Sequence, residues 1–554
     1  MGQTGRLRMR QGMRLYVVMG LILLLQLTVI LYFCGKKTGF HYDEYYSYYS
    51  SNVTRGLVPT DREWKSGGEI RDEFTVLEGE RFRFADVVRM QTYDVHPPFY
   101  YLLLHAVCSL MPGVFSKWSG LILNLVVFEA SWFVLARLTF EMMRGMRDEK
   151  TGRIAAAAVC LLYGFNPAVL SGVMLVRMYM LLALLVLLIT WLHVRAVMRG
   201  RRGWKFYVPV ALTIYLGFLT HYYFAVYLFF LAAATELHLF AGKTEQKKWK
   251  PKWKDCFAYG GVVVGAMAAA AVSYPACLGH IFRGYRGKEA MGEFFNPGNT
   301  LGRLRFFAGL LNEYVFSSAL PFVLLMLLLL AVTVKMLQRR SKTKAQRGRY
   351  AALWIVAAAV AGYFGVVTKT ALLTAEEANR YQLPVYGLIL MLLFVAAVLL
   401  SGRIAALCGG IKREMLFTWA VAGIMFALPF AGEISGLFRG RVLFLYEEDG
   451  ENIAFARENH ATGTVYFYHG NLAWMVWDDS LELMQYDRIY FVNMADLSPL
   501  ADEAFEGADR LLVYAARGDD QEEALAAAEA AFSQGAKTRK VRELLYCDLY
   551  EIRR

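Results

Sequence analysis

Charge is scarce in this 554-residue chain: Asp, Glu, Lys and Arg make up 19% of it, against 57% hydrophobic and 15% aromatic residues. An average soluble domain carries about a quarter charged residues, so the balance argues against an ordinary globular protein. Proline is sparse as well, 13 in all, which leaves long stretches free to run as helix. The seven cysteines (Cys34, Cys108, Cys160, Cys256, Cys277, Cys408 and Cys547) are scattered, mostly in or beside apolar runs, and none stands in a CxxC pair. That spacing argues against a disulfide framework or a cysteine metal cluster. A Walker motif is missing too, which makes an ATP-driven pump an unattractive reading.

What the chain has in abundance is apolar runs of membrane-spanning length. Eleven spans are predicted, over 15–33, 118–138, 154–172, 178–198, 206–221, 223–240, 256–276, 316–337, 351–371, 383–400 and 414–431. The expected fold class is a polytopic α-helical membrane protein of about eleven helices with a small carboxyl-terminal α/β domain. The run from 97 to 110 is short and begins with two prolines, so it reads as a helix on or dipping into the interface. The basic then apolar amino end imitates a secretory signal, but its core is too long and lacks a small-residue cleavage site, so a retained first helix is expected.

Charge supplies the orientation. The basic stretches at 1–14, 144–153, 195–205, 243–254, 338–349 and 401–413 fall on one side if the spans alternate, and that side is read as the cytoplasm. Residues 442–554 hold 10 Lys/Arg against 22 Asp/Glu, a balance of −12, which leaves +25 for 1–441 within the total of +13. A basic membrane part of this kind points to anionic lipid rather than nucleic acid. An odd number of spans puts the acidic tail outside the plasma (inner) membrane. Two domains follow: 1–441, with the active-site motifs in a first outer loop over 34–117, and the accessory domain 442–554.

The tail alternates short β-rich runs (VLFLY at 442, TVYFYHG at 464, RIYFVNM at 488, RLLVYAAR at 510, LLYCDLYEIR at 544) with helical patterns such as ENIAFARENH, NLAWMVWDDSLELM and QEEALAAAEAAFSQG. This predicts a three-layer domain with a mainly parallel sheet. No glycine-rich phosphate loop follows its first strand, so an accessory or acceptor-docking domain is the favoured reading over a nucleotide site.

Two motifs follow the first apolar run: HYDEYYSYYS at 41–50 and DVHPPFYYLLLH at 94–105. A carboxylate held among tyrosines in the 41–50 loop is partly desolvated, which raises its basicity toward that of a general base, so Asp43 and Glu44 are candidates; ordinary solvated acids are the competing reading. The paired prolines present Asp94 and His96 from an extended or turn segment at a helix start, a place suited to a phosphate oxygen. Arg177 and Tyr179 interrupt a continuous apolar run, where an arginine faces a cavity, a partner or the headgroups. His221 lies in FLTHYYF between two apolar segments, and Arg380 and Tyr381 open a late span. The guanidinium fork suits a phosphate ester. Asp94, His96 and His221 are weak candidates for a divalent metal ion, since their spacing is not that of a helical ligand pair. The sequon at 52–54 is read as chance.

The Asp-Glu pair after the first helix, DxHPPxYYxLLH, Arg-x-Tyr, His-Tyr and the late Arg-Tyr-x-x-Pro together resemble the multi-spanning GT-C glycosyltransferases. Within them the pattern is most similar to the protein O-mannosyltransferase and aminoarabinose-transferase-like bacterial branch, over residues 15 to about 400. The resemblance implies inverting transfer of a sugar from a polyprenyl-phosphate donor to a protein, lipid or cell-envelope glycan acceptor, without metal or with weak metal assistance. It implies Asp43 as the base on the acceptor hydroxyl, Glu44 orienting the acceptor or holding the loop, and Asp94 near the leaving phosphate or an ion. His96 takes the place of a phosphate-contacting basic residue; Arg177, Arg380 and Lys369 neutralise the lipid phosphate, and Tyr179, His221 and Tyr381 contact sugar or phosphate. A secondary transporter or flippase is the alternative, though no internal repeat supports it. A non-catalytic scaffold is a third reading, distinguished by its indifference to loss of Asp43.

Overall fold

A computed structural model describes residues 3–52, 61, 63–200, 202–241, 253–341, 350–408, 414–470, 476–501, 508–533 and 535–554. The basic stretches at 242–252, 342–349 and 409–413, the sequon residues 53–54 and the start of the expected tail helix at 471–475 lie outside the described residues. Nine described helices are long and apolar enough to cross a membrane: Leu15–Lys36, Lys117–Met146, Tyr179–Arg199, Tyr223–Phe240, Trp253–Ser273, Leu320–Arg339, Ala351–Thr370, Ala375–Leu407 and Glu414–Leu437. The chain is a polytopic helical membrane protein.

Two of the eleven expected spans turn out differently. The span at 206–221 is a 15-residue helix, Trp204–Phe218; at 1.5 Å per residue it covers about 22 Å, less than the roughly 30 Å hydrocarbon core. The span at 154–172 is a pair, Glu149–Gly164 and Pro167–Met174, bent by 59°. The break has a local cause: the Asn166 side chain accepts from the Ala168 backbone N–H, and Pro167 occupies the first turn of the new helix, where its missing N–H costs nothing. Counting the bent pair as one span gives ten.

The chain divides into two compact units, Met1–Cys34 with Gln91–Tyr100 and Leu121–Leu443, and Gly35–Met90 with Tyr101–Gly120 and Phe444–Arg554. In the first, polar side chains take up backbone groups that helix ends and breaks release, a necessity where water is absent. Gln26 donates to the carbonyls of Cys160 and Leu161 at 3.0 and 3.1 Å and accepts from the Trp132 indole at 2.9 Å. Asn124 donates to the carbonyls of Val173 and Leu175 at 3.0 and 2.7 Å, stabilising the interruption that precedes Arg177.

The second unit carries a six-stranded sheet: β1 Trp64–Lys65, β2 Gly463–Tyr468, β3 Ile489–Asn493, β4 Arg510–Ala516, β5 Lys537–Glu543 and β6 Cys547–Arg553. Its order is β1-β3-β2-β4-β6-β5. Only β2/β3 and β2/β4 are parallel; β1/β3, β4/β6 and β5/β6 are antiparallel. The sheet is therefore mixed rather than mainly parallel: after β4 the chain passes through helix Gln521–Phe532 to β5, and β6 returns antiparallel between the two, while one edge strand comes from the loop after the first span. Alternation sorts the strand residues: Val465, Phe467, Val513 and Ala515 belong to a core with Ala524, Ala528 and Phe532 of helix Gln521–Phe532. The intervening Tyr466 and Tyr514 stack at 5.6 Å.

The run VLFLY, expected as the first strand, is no strand. Phe444 and Tyr446 adopt φ of 66° and 49°, a left-handed conformation that costs a bulky residue about 1 kcal/mol or more. The twisted backbone directs its carbonyls at the loop after the first span. Lys37 donates to Phe444 O at 2.7 Å, and the Thr38 N–H donates to Leu445 O at 2.9 Å. Gly39 is required there, since a Cβ would collide with the Asp449 carboxylate and Tyr446.

Candidate active site

Residues 92–98 form no regular element and lead into helix Phe99–Cys108, as the two prolines demand. This presents Asp94 and His96 side by side, with His96 Nδ1 3.3 Å from Asp94 Oδ2. The His280 ring braces the segment, with Nε2 3.2 Å from Thr92 O and Nδ1 2.9 Å from the Tyr222 hydroxyl. From His96 a chain of rings crosses the first unit: His96 to His221 at 5.8 Å, His221 to Tyr179 at 5.7 Å, Tyr179 to Tyr381 at 5.7 Å. The Arg380 guanidinium lies 5.2 Å from the Tyr381 ring centroid and 3.9 Å from Glu377. Arg177, Tyr179, His221, Arg380 and Tyr381 are all buried. Four segments distant in sequence, 94–96, 177–179, 221 and 380–381, thus meet in one cluster.

The electrostatics of the cluster favour negative charge. Burial pushes the Asp94 carboxyl up, but His96 and Arg177 outweigh it and hold it below the ordinary carboxylate range. The same surroundings act oppositely on an imidazole: burial, then His96 and Arg177, push His221 well down, toward the neutral form. His221 Nδ1 accepts the Tyr223 N–H at 3.0 Å, which fixes the ring and its tautomer. Among the described residues no group of three His, Cys, Asp or Glu side chains is placed to hold a metal ion, so Asp94, His96 and His221 do not make one.

Lys369 is placed elsewhere. Its ammonium donates to Asn296 O at 2.6 Å, Thr300 Oγ1 at 3.0 Å and Asn299 Oδ1, and beside it Arg303 donates to Ala371 O at 3.0 Å. These contacts tie the end of helix Ala351–Thr370 to the segment 296–303.

Asp43 and Glu44 belong to the second unit. Residues 42–52, expected as a loop, form helix Tyr42–Asn52, with both acids in its first turn, where the helix dipole favours them. Tyr45, Tyr48 and Tyr49 are its buried face; Tyr46 and Tyr49 pack on Trp477 with ring centroids 4.5 and 4.7 Å apart. The tyrosines that make the motif polar to the eye are an apolar stripe with hydroxyl tips. Asp43 keeps 19% of its side chain exposed, with His41 Nδ1 3.7 Å away.

Glu44 has a different fate. It is fully buried, its Oε2 receiving Lys37 Nζ at 2.9 Å and the His41 N–H at 2.8 Å. Its carboxylate is engaged in holding the helix start, so of its two expected tasks its contacts match the structural one. Lys37 was not singled out from the sequence; its only signal is a second lysine directly after an apolar run.

Four more acids escaped notice. Asp479 accepts from the Tyr466 hydroxyl at 2.5 Å and lies 3.2 Å from Cys547 Sγ; Glu482 accepts from Tyr514 at 3.0 Å. Burial raises both carboxyls, and Asp479 raises Glu482 further. Asp449 is pushed up to about 7 by burial, Glu448 and Asp479, and Asp478 to about 8 by burial and by Asp479, Asp449 and Asp43.

No protein-family model matches the chain, and no curated protein matches it. Among solved structures it is similar to ArnT from Cupriavidus metallidurans bound to undecaprenyl phosphate, at 12% identity over 96% of this chain and 97% of that one, with a TM-score of 0.48. It is also similar to the archaeal oligosaccharyltransferase AglB from Archaeoglobus fulgidus, in complex with an inhibitory peptide and a dolichol-phosphate. That match has 12% identity over 89% of this chain and 69% of that one, with a TM-score of 0.44.

Proposed function

We propose that this chain is a membrane glycosyltransferase that moves a sugar from a polyprenyl-phosphate donor to an acceptor hydroxyl at the outer face of the membrane. The observation that carries the reading is the meeting of the half-buried Asp94 and His96 with the buried Arg177, His221, Tyr179 and Arg380. Buried guanidinium groups among aromatic rings at the ends of apolar helices make a positively charged lining of the kind that suits a phosphate ester. A lipid phosphate ester supplies that anion, and its apolar tail finds a groove between helices.

In the proposed reaction Asp43 accepts the proton of the acceptor hydroxyl as its oxygen bonds to the sugar's anomeric carbon. The bond from that carbon to the phosphate oxygen breaks at the same time, and the electron pair leaves with the polyprenyl phosphate. A single displacement of this kind inverts the anomeric centre. Arg177 and Arg380 stabilise the charge that develops on the departing phosphate, an effect that grows where water is scarce. His96 and Asp94 sit by the phosphate, while Tyr179, His221 and Tyr381 shape the sugar pocket. Lys369, held by the 296–300 segment, positions that segment rather than the phosphate.

The test is transfer of radiolabelled sugar from a panel of polyprenyl-phosphate sugars in membranes carrying wild type or Asp43→Asn. Loss of the general base is expected to lower transfer by about 10²–10⁴-fold, with donor binding preserved. Equal transfer by the two proteins would remove Asp43 from the mechanism, and no binding of any donor by wild type would remove the transferase reading itself.

A further inference from the structure

At the far end of helix Tyr179–Arg199 from Tyr179, about 30 Å away by helical rise, lies an open cavity of about 880 Å³. Its walls combine Arg195, Arg199, Arg202 and Lys205 with Leu192 and Trp204. The backbone brings these cations together. Helix Tyr179–Arg199 ends on Gly200 in the left-handed region, at φ 62°, a conformation that glycine adopts without strain. The next helix, Trp204–Phe218, begins four residues later behind Gly203, which offers no side-chain cap. Arg195 and Arg199 of one helix end therefore line the same cavity as Lys205 of the next helix start.

Part of the positive charge is compensated and part is not. Arg199 pairs with Glu141 at 2.5 Å, and Arg202 lies 3.7 Å from Asp255. Arg195 and Lys205 are in no ion pair among the described residues, and they lie 5.5 Å from the ring centroids of Trp191 and Trp204 respectively. Two uncompensated cations beside a helix amino end make an anion site. The Trp204 side chain at its mouth is 72% exposed, and an exposed tryptophan at the start of an apolar helix is a side chain that settles among lipid headgroups. The cavity is also far larger than inorganic phosphate requires.

We infer that this cavity binds the phosphodiester headgroup of an anionic phospholipid, with Arg195 and Lys205 at the phosphate and the acyl chains beside Trp204 and Leu192. The chemistry the site recognises is a phosphate ester; the exposed apolar flank selects its lipid form over a soluble one. The inference stands apart from the transferase reading, because none of these residues is placed at the sugar.

Native mass spectrometry of the full chain in detergent, titrated with phosphatidylglycerol and with phosphatidylcholine, tests it. Wild type is expected to retain phosphatidylglycerol in preference. Arg195→Gln and Lys205→Gln, each removing one charge contact worth about 1–1.5 kcal/mol, are expected to lower that retention roughly tenfold. A second arm adds inorganic phosphate to wild type alone, so the test survives a variant that fails to fold. Displacement of the lipid by millimolar phosphate would make this a soluble-anion site and overturn the inference. Equal retention of the two lipids, or retention indifferent to both substitutions, would overturn it as well.

Discussion

Asp94 and Asp478 are the same side chain in two environments, and their carboxyls move in opposite directions. Both are taken from water, which raises each. Asp94 then meets His96 and Arg177 and ends below the ordinary range, whereas Asp478 meets Asp479, Asp449 and Asp43 and rises to about 8. Burial alone does not decide whether an acid is charged; the sign of its neighbours does. The first unit has been arranged to hold an anion among cations. The second has been arranged to hold protons among acids, with Lys37 and Arg542 the cations that temper it.

The sharpest break in this contrast is at Glu44, which is paired with the buried Lys37. Lys37→Met leaves Glu44 fully buried without its partner, and about 3–5 kcal/mol of stability is expected to go. Hydrogen exchange over residues 42–52 reads it, and the double substitution Lys37→Met with Glu44→Leu is expected to recover most of the loss. If the single variant exchanges like wild type, the pair does not hold the helix that carries Asp43.

Removing a cation from the first unit tests the other half. Arg177→Gln deprives Asp94 and the proposed leaving phosphate of a positive neighbour, and a fall in transfer on the order of 10²-fold is expected. The pH profile is the more telling readout. With Arg177 gone, the Asp94 carboxyl rises and the acid limb of the profile moves to higher pH; an unmoved limb would mean that Arg177 acts on the donor alone.

Stability against pH separates the units next. Asp449 and Asp478 keep protons in the folded domain at pH values where the unfolded chain has released them. From near the ordinary value of 3.8 to about 8 the folded state therefore binds more protons, and stability is lost as pH rises through that window. The loss is expected as a falling unfolding temperature of the tail between pH 5 and 8. A tail that gains stability over this range would show that the acids are ionised when folded. The smallest effect is at one residue: Asp478→Asn keeps the shape and removes the titration, so it is expected to flatten part of that slope while changing stability at pH 5 by less than about 1 kcal/mol.

The two units were not equally legible. Asp94, His96, Arg177, Tyr179, His221, Arg380 and Tyr381 stood out because a charged or polar group inside an apolar run is conspicuous, and the structure brings them together. Lys369, expected from the family resemblance alone, lies with Asn296 and Thr300 instead, since a lysine at a helix end reaches several neighbours equally well. In the second unit Asp449, Asp478, Asp479 and Glu482 were invisible among 22 acids of the tail, where an acid attracts no notice. Only Tyr466, Cys547 and Tyr514, brought against them by strand alternation and pairing, make them distinct.

Composition and periodicity determined that this is a helical membrane protein with an α/β tail, and they located its interruptions, because the cost of a polar group in hydrocarbon is a local property of a segment. Tertiary structure alone decided that the sheet is mixed and that VLFLY is a contact surface rather than a strand. It also decided which acids carry charge. Each of these depends on what lies opposite a residue, and hydrogen-bond partners and neighbouring charges come from segments hundreds of residues away.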